Sequence, residues 1–297
     1  MRRPVALLGA ALVALYTLMI SAADGITKLI SQDYAAPQLF ALSAAMVLAL
    51  SWAASHSKRD TGAGGLYTRA PRAMALRAGL TVLAAIGFFQ AFHLLPFADV
   101  FLFIGLMPVI AALLSGPFLG EPLRKEAIAA LALGTLGLYC LMPGGLSAAQ
   151  PGHAWALMAA LSGTCSMLCA RYIGRFETNA LAQVFYPNLA ILGVMGAALP
   201  FVWRPMSLPD LGWVAAYALF LFGARWISTI ALRLLPAYVA TALMNLQFVW
   251  MVVIGFVAFG EVPDFASMTG VALVITSGLW LVIAQNAPSV KSTAVKI

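Results

Sequence analysis

Long apolar runs alternate with short polar breaks along almost the whole chain. A membrane-spanning helix needs roughly 20 mostly apolar residues. Ten runs approach or reach that length, at about 5–29, 36–55, 74–94, 97–119, 125–142, 153–172, 181–203, 210–232, 236–259 and 265–285. Proline, glycine and charge mark the breaks. The tightest breaks fall at Pro96 and Pro236, where the chain must turn back within a few residues. Proline has no N–H to donate and restricts the residue before it, so it suits the start of a helix.

The pattern is written twice. Ala91-Phe92-His93-Leu94-Leu95-Pro96 leads through an apolar run to Leu119-Gly120-Glu121, and Ala231-Leu232-Arg233-Leu234-Leu235-Pro236 leads to Phe259-Gly260-Glu261. The prolines stand 140 positions apart, as do the glutamates, and Leu106/Leu246 and Val109/Val249 coincide in the same register. Gly137/Gly278 and Tyr139/Trp280 continue the match with one residue inserted. A repeat at about half the chain length decides the fold. It divides the chain into a first five-helix repeat at 5–142, a second at 150–285 and a tail at 286–297.

Composition makes the runs membrane spans rather than core helices. Hydrophobic residues are 63% of the chain and charged residues 9%, against about 25% charged in a soluble domain. The net charge of +7 does not point to nucleic acid, because the basic residues sit between apolar runs. Fifteen of the 17 Lys and Arg, Arg77 counted among them, fall on one side if the N-terminus is cytoplasmic; Lys28 and Arg204 fall on the other. By the positive-inside rule both termini are cytoplasmic and the span number is even. Five spans per copy is odd, so the second copy inserts upside down relative to the first. The fold class is therefore an all-α membrane protein of ten transmembrane helices in two inverted five-helix repeats. Inverted repeats are characteristic of secondary transporters, which bind substrate near the midplane between them.

Polar residues inside spans are the candidate machinery. Thr17, Ser21, Asp24 and Lys28 share one face of the first span. Asp24 and Lys28 read either as a self-neutralised i, i+4 pair or as a gate or coupling element. Arg225 lies well inside the eighth span, with Tyr217, Phe222 and Trp226 near it in sequence. A lipid-facing charge at mid-helix costs at least about 2.5–3.5 kcal/mol, so Arg225 must have a partner, water or a substrate. Its planar fork suits a carboxylate; bonding to backbone carbonyls or snorkelling is the structural alternative. Phe89, Phe103, Tyr186 and Trp250 are candidate aromatic walls, and Gln183, Asn188, Asn245 and Gln247 are polar groups at membrane depth. Pro187 frees the carbonyl of Gln183. Cys140, Cys165 and Cys169 read as packing residues, and the sequence implies neither metal, cofactor nor catalytic set.

The Leu-Leu-Pro start, the Gly-Glu end and the second copy's Leu246-Gln247-Phe248-Val249-Trp250 and Phe259-Gly260-Glu261-Val262-Pro263-Asp264 resemble the EamA domain of the drug/metabolite transporter superfamily. Ala23-Asp24-Gly25-Ile26-Thr27-Lys28 followed by Pro37-Gln38 resembles a branch that includes S-adenosylmethionine carriers; Ser43 or a neighbour stands where that branch usually carries an arginine. The resemblance implies a carrier of small organic molecules whose first four helices of each repeat line a cavity, braced by the fifth. The expected function is transport, most of all export, of an amino acid or related amphipathic metabolite across the inner membrane. The alternatives are uptake or exchange of S-adenosylmethionine-like or nucleoside-like compounds, or a membrane-embedded accessory or structural role. The expected partners are a small-molecule substrate, the lipid bilayer, and a proton or counter-substrate if transport is coupled, with the protein a monomer or weak homodimer.

Overall fold

The computed structural model of the chain describes residues 3–57, 66–95, 97–120, 150–244 and 246–260, with isolated positions between 128 and 132 and between 265 and 280. Over these residues it is all-helical: α1 Arg3–Ile30, α2 Ala36–Ser57, α3 Pro71–Leu94, α4 Phe97–Leu119, α5 Pro151–Ile173, α6 Ala180–Val202, α7 Leu208–Leu234, α8 Ala237–Met244 and α9 Gln247–Phe259. Six of these helices, α1, α2, α3, α5, α6 and α7, are long and apolar enough to cross a membrane. The fifth and tenth expected spans, the tail, Glu121, Glu261, Asn245 and Cys140 lie outside the described residues.

Local chemistry sets the helix ends. Pro71 and Pro151 open α3 and α5, where a missing N–H costs nothing. Asn179 and Ser207 cap α6 and α7, their side-chain oxygens accepting from the Ala182 and Asp210 amides at 3.3 Å. α3 and α7 stop in the same way. Leu95 and Leu235 turn to extended backbone and donate their amides to the Ala91 and Ala231 carbonyls at 2.8 and 2.9 Å. α4 and α9 also end alike, on Gly120 and Gly260 at φ 63° and 66°. That left-handed conformation favours glycine because it has no Cβ.

The ninth expected span, 236–259, is not one helix. It divides into α8, which ends at Met244, and α9, which begins at Gln247, with Leu246 in a turn before it. The Leu246 amide bonds to the Leu243 carbonyl, three residues back instead of four, which tightens the backbone and breaks the ladder.

The bundle is built from pairs. α3 lies along α5, α1 along α7 and α2 along α6; α4 packs on α5 and α1 on α9. Several glycines are approached more closely than a side chain would allow, and two of them match across the bundle. A Cβ on Gly152 would stand 2.6 Å from Leu95 Cγ, and one on Gly9 would stand 2.8 Å from Leu235 Cγ. In each case the leucine that ends a helix in one half seats on a glycine near the start of the other half. Small residues let helices approach this closely where lipid offers no hydrophobic drive for association.

Candidate functional site

A cavity of about 180 Å³ lies where α1, α3, α5, α6 and α7 converge. It is smaller than the roughly 300–1,000 Å³ of drug-sized sites and suits a small metabolite. Among the described residues, three charged side chains line it: Asp24 from α1, Arg77 from α3 and Arg225 from α7. Tyr16, Phe40, Phe89 and Tyr217 supply the aromatic walls, and Thr81, Ser166 and Ser228 supply hydroxyls.

Arg225 is where the sequence puts it, inside a spanning helix and on the cavity. Its Nη1 is buried with no hydrogen-bond partner among the described residues, while its backbone carbonyl accepts from the Thr229 hydroxyl at 2.9 Å and the Ser228 hydroxyl at 3.0 Å. Tyr16 and Tyr217 are close enough to interact electrostatically with both Asp24 and Arg225.

Arg77 corrects the sequence reading. It was expected to serve only as one of the inner-side positive charges. Instead it is 7% exposed, two turns into α3, and lines the cavity. Its Nη1 donates to Gln183 Oε1 of α6, and its Nε is buried without a partner among the described residues. The carbonyl of Arg77 accepts from Thr81 at 2.8 Å and from Ser166 of α5 at 3.3 Å. The sequence carried the signal: an arginine within an apolar run, followed by a threonine one turn on.

The polar stripe of α1 faces α9. Trp250 Nε1 donates to Thr17 Oγ1 at 3.2 Å, Ser21 donates to the Gln247 carbonyl at 3.4 Å, and Gln247 Nε2 donates to Asp24 Oδ2 at 2.7 Å. Asp24 thus bonds to the first residue of α9, beside the break that separates it from α8. Lys28 is not among the cavity-lining residues.

Of the other expected wall residues, Phe89 and Tyr217 line the cavity and five do not. Phe222 and Trp226 form a T-shaped pair with centroids 5.4 Å apart and pack on Val47, Val184 and Ala218. Tyr186 packs beside Met74, Ile173 and Ala182, and Phe103 lies against His153. Trp250 is held by Thr17. These aromatics fill gaps between helices because their size suits helix crossings as well as pocket walls. Gln183 is also absent from the cavity lining and acts through Arg77. Asn245 is not described. Cys165 and Cys169 are free thiols that line an apolar groove with Leu76, Phe118 and Tyr172, away from the charged cavity.

A wider cavity of about 800 Å³ opens at the end of the bundle that carries the α1–α2 turn, lined by Asp33, Tyr34, His93, Trp203 and Arg204 among others. Phe89 lines both cavities. It packs edge-on to Phe40 at 5.6 Å between centroids, and Phe40 lies 6.2 Å from Tyr217.

A helical bundle with six helices long and apolar enough to cross a membrane is that of a multi-pass membrane protein. Residues 4–142 match the model of the EamA-like transporter family. That segment is similar to the family whose domain the sequence resembles. The match falls on the first half of the chain, although the motifs that carry the resemblance most plainly lie in the second half. Two curated Helicobacter pylori proteins, each described as an uncharacterized transporter, align over 219 residues. The protein of strain J99 is 23% identical and that of strain 26695 is 22% identical; each alignment covers 71% of this chain and 73% of the relative. A solved crystal structure superposes with a TM-score of 0.74 at 20% identity, over 96% of this chain and 99% of the other. At that identity the likeness is one of fold.

Proposed function

We propose that this EamA-type transporter exports a small amphipathic metabolite, an amino acid or a close relative, across the inner membrane, and that Arg225 anchors its acidic group. The observation that carries the reading is the Arg225 guanidinium, which lines the central cavity with a buried nitrogen that no described residue satisfies. A charge held at membrane depth is costly, and a bound carboxylate would compensate it through a bidentate bond. Phe40, Phe89 and Tyr217 would hold the apolar remainder.

The architecture proposed with it is ten spans in two inverted repeats, 5–142 and 150–285, a tail at 286–297, and both termini cytoplasmic. The repeated stops at Leu95/Leu235 and Gly120/Gly260, and the exchange of Leu95–Gly152 for Gly9–Leu235, support the two-fold relation. The charge asymmetry supports the orientation. Single cysteines placed between 144 and 150, in a variant lacking the native three, should react with an impermeant thiol reagent from outside. Labelling only after the membrane is opened would reverse the orientation.

The functional test is flux of an amino acid and its amide in vesicles containing the purified protein. Arg225→Lys keeps the charge but loses the fork. It should slow the acid about tenfold, the worth of one charge-assisted bond, while slowing the amide less. Equal loss of both would make Arg225 structural. Asp24 on the cavity wall favours a second reading, uptake or exchange of a cationic metabolite such as a sulfonium compound. In that case transport would follow Asp24 and not Arg225.

A further inference from the structure

The central cavity holds a second guanidinium besides Arg225. Arg77 enters from α3, is more than nine-tenths buried, and keeps an unpartnered Nε at the wall of the same cavity. It is near enough to Arg225 for the two positive charges to repel. Among the described residues, two cations and one carboxylate, Asp24, therefore share about 180 Å³. In a low-dielectric interior that imbalance is expensive.

The Arg77 side chain is also preoriented. Gln183 of α6 takes one end of its fork, and its own carbonyl is held by Thr81 and by Ser166 of α5. Gln183 thus holds one end of a guanidinium whose buried Nε has no described protein partner. A cation wanted only for the positive-inside rule would sit at the end of α3 among water, where Arg72 stands, exposed. Arg77 sits about one and a half turns deeper.

We propose that the site has two anionic subsites, one at Arg225 and one at Arg77, with Asp24 facing a cationic group. The ligand class it fits is a small metabolite with two acidic groups and one ammonium, of net charge −1, as in an acidic amino acid. Such a ligand matches the cavity charge for charge. A neutral amino acid would leave Arg77 uncompensated, and a plain dicarboxylate would leave the filled site with one excess negative charge. The proposal rests on Arg225 as the first anion anchor and adds the second.

The experiment is counterflow in vesicles of defined lipid containing the full-length protein, with glutamate, glutamine and succinate as probes. The wild-type protein should carry glutamate at least about tenfold better than either of the others, tenfold being one charge-assisted bond. Gln183→Glu keeps the shape and supplies Arg77 with an internal carboxylate. It should abolish the preference for glutamate over glutamine while glutamine flux persists. Arg77→Gln should do the same, and the Gln183 variant covers the case in which loss of the buried arginine prevents folding. A wild-type protein that carries glutamine as fast as glutamate overturns the second subsite. So does a Gln183→Glu variant that leaves the preference intact, or one that lowers both fluxes equally. Failure of the first anchor reads differently, as Arg225→Lys slowing acid and amide alike. Stabilisation by chloride or phosphate equal to that by glutamate would mean that the pair holds only an inorganic anion, and would overturn the proposed ligand class.

Discussion

Two sets of arginines sit in this molecule, and they are used differently. At the end of the bundle where α5 stops and α6 begins, arginines bond to backbone. Arg175 Nη2 donates to the Leu119 carbonyl at 2.6 Å, Arg233 Nη1 to that of Thr178 at 2.9 Å, and Arg171 Nη1 to that of Leu232. Carbonyls near helix ends have no intrahelical partner, so a cation there supplies a bond and complements the dipole. In the central cavity Arg77 and Arg225 each keep a buried nitrogen without a described partner. Arg233 also leaves its Nε unpartnered, but at the rim and outside the cavity lining. Identical side chains thus serve as fasteners at the end of the bundle and as uncommitted donors at its centre. Location separates them: Arg77 and Arg225 lie on the cavity lining and the backbone-bonded arginines do not.

The sharpest way to break that comparison is to cross two readouts. Arg225→Gln should lower transport of an acid-bearing substrate by about 10–100-fold, the worth of a bond to a charged group at about 1.5–3 kcal/mol. Its melting temperature should hold or rise, since the variant removes a buried charge that the empty protein does not satisfy. Flux and thermal unfolding measured on the same preparation decide it. A large fall in melting temperature with proportional loss of all substrates would place Arg225 among the fasteners.

Asp24 gives the next largest effect, because it does both jobs: it bonds to Gln247 and lines the cavity. The double variant Asp24→Asn with Lys28→Met removes both charges and keeps an oxygen for Gln247. It should fold, insert and still carry a deaminated analogue of the substrate, while flux of the ammonium-bearing parent falls about tenfold. Full recovery of parent flux would reduce Asp24 and Lys28 to a self-neutralised pair.

The same division explains what the sequence could reveal. Span positions were legible because length and apolarity are local properties: the 97–119 run coincides with α4, and no other described boundary moved by more than three residues. The break between α8 and α9 was not legible, since an apolar run through Leu246 carries no mark of an i−3 bond. Arg225, Tyr217, Phe89 and Asp24, which line the cavity, stand out in the sequence as polar or aromatic groups inside a span. Arg77 was passed over because, three residues into its expected span, it looked like one more inner-side charge. The depth that distinguishes it is set by α5 and α6 packing over α3. Trp226, Phe222 and Trp250 were placed on the cavity because aromatic content does not say which face of a helix turns inward.

The smallest expected effect belongs to the rim. Arg175 is exposed, and its bond to the Leu119 carbonyl closes the end of α4 beside Gly120. A hydrogen bond of this kind is worth about 0.5–1.5 kcal/mol, and exposure puts it at the low end because water replaces the lost donor. Arg175→Gln should therefore lower the melting temperature by no more than about 2–4 °C, with transport of acid and amide both within about twofold of wild type. Gly120→Ala should cost somewhat more, since it forces a Cβ into left-handed backbone at about 1 kcal/mol on the helix end that Arg175 serves. If Arg175→Gln instead abolished transport while leaving unfolding unchanged, the rim would be part of the substrate path, and the distinction between committed and uncommitted arginines would fail at its cheapest point.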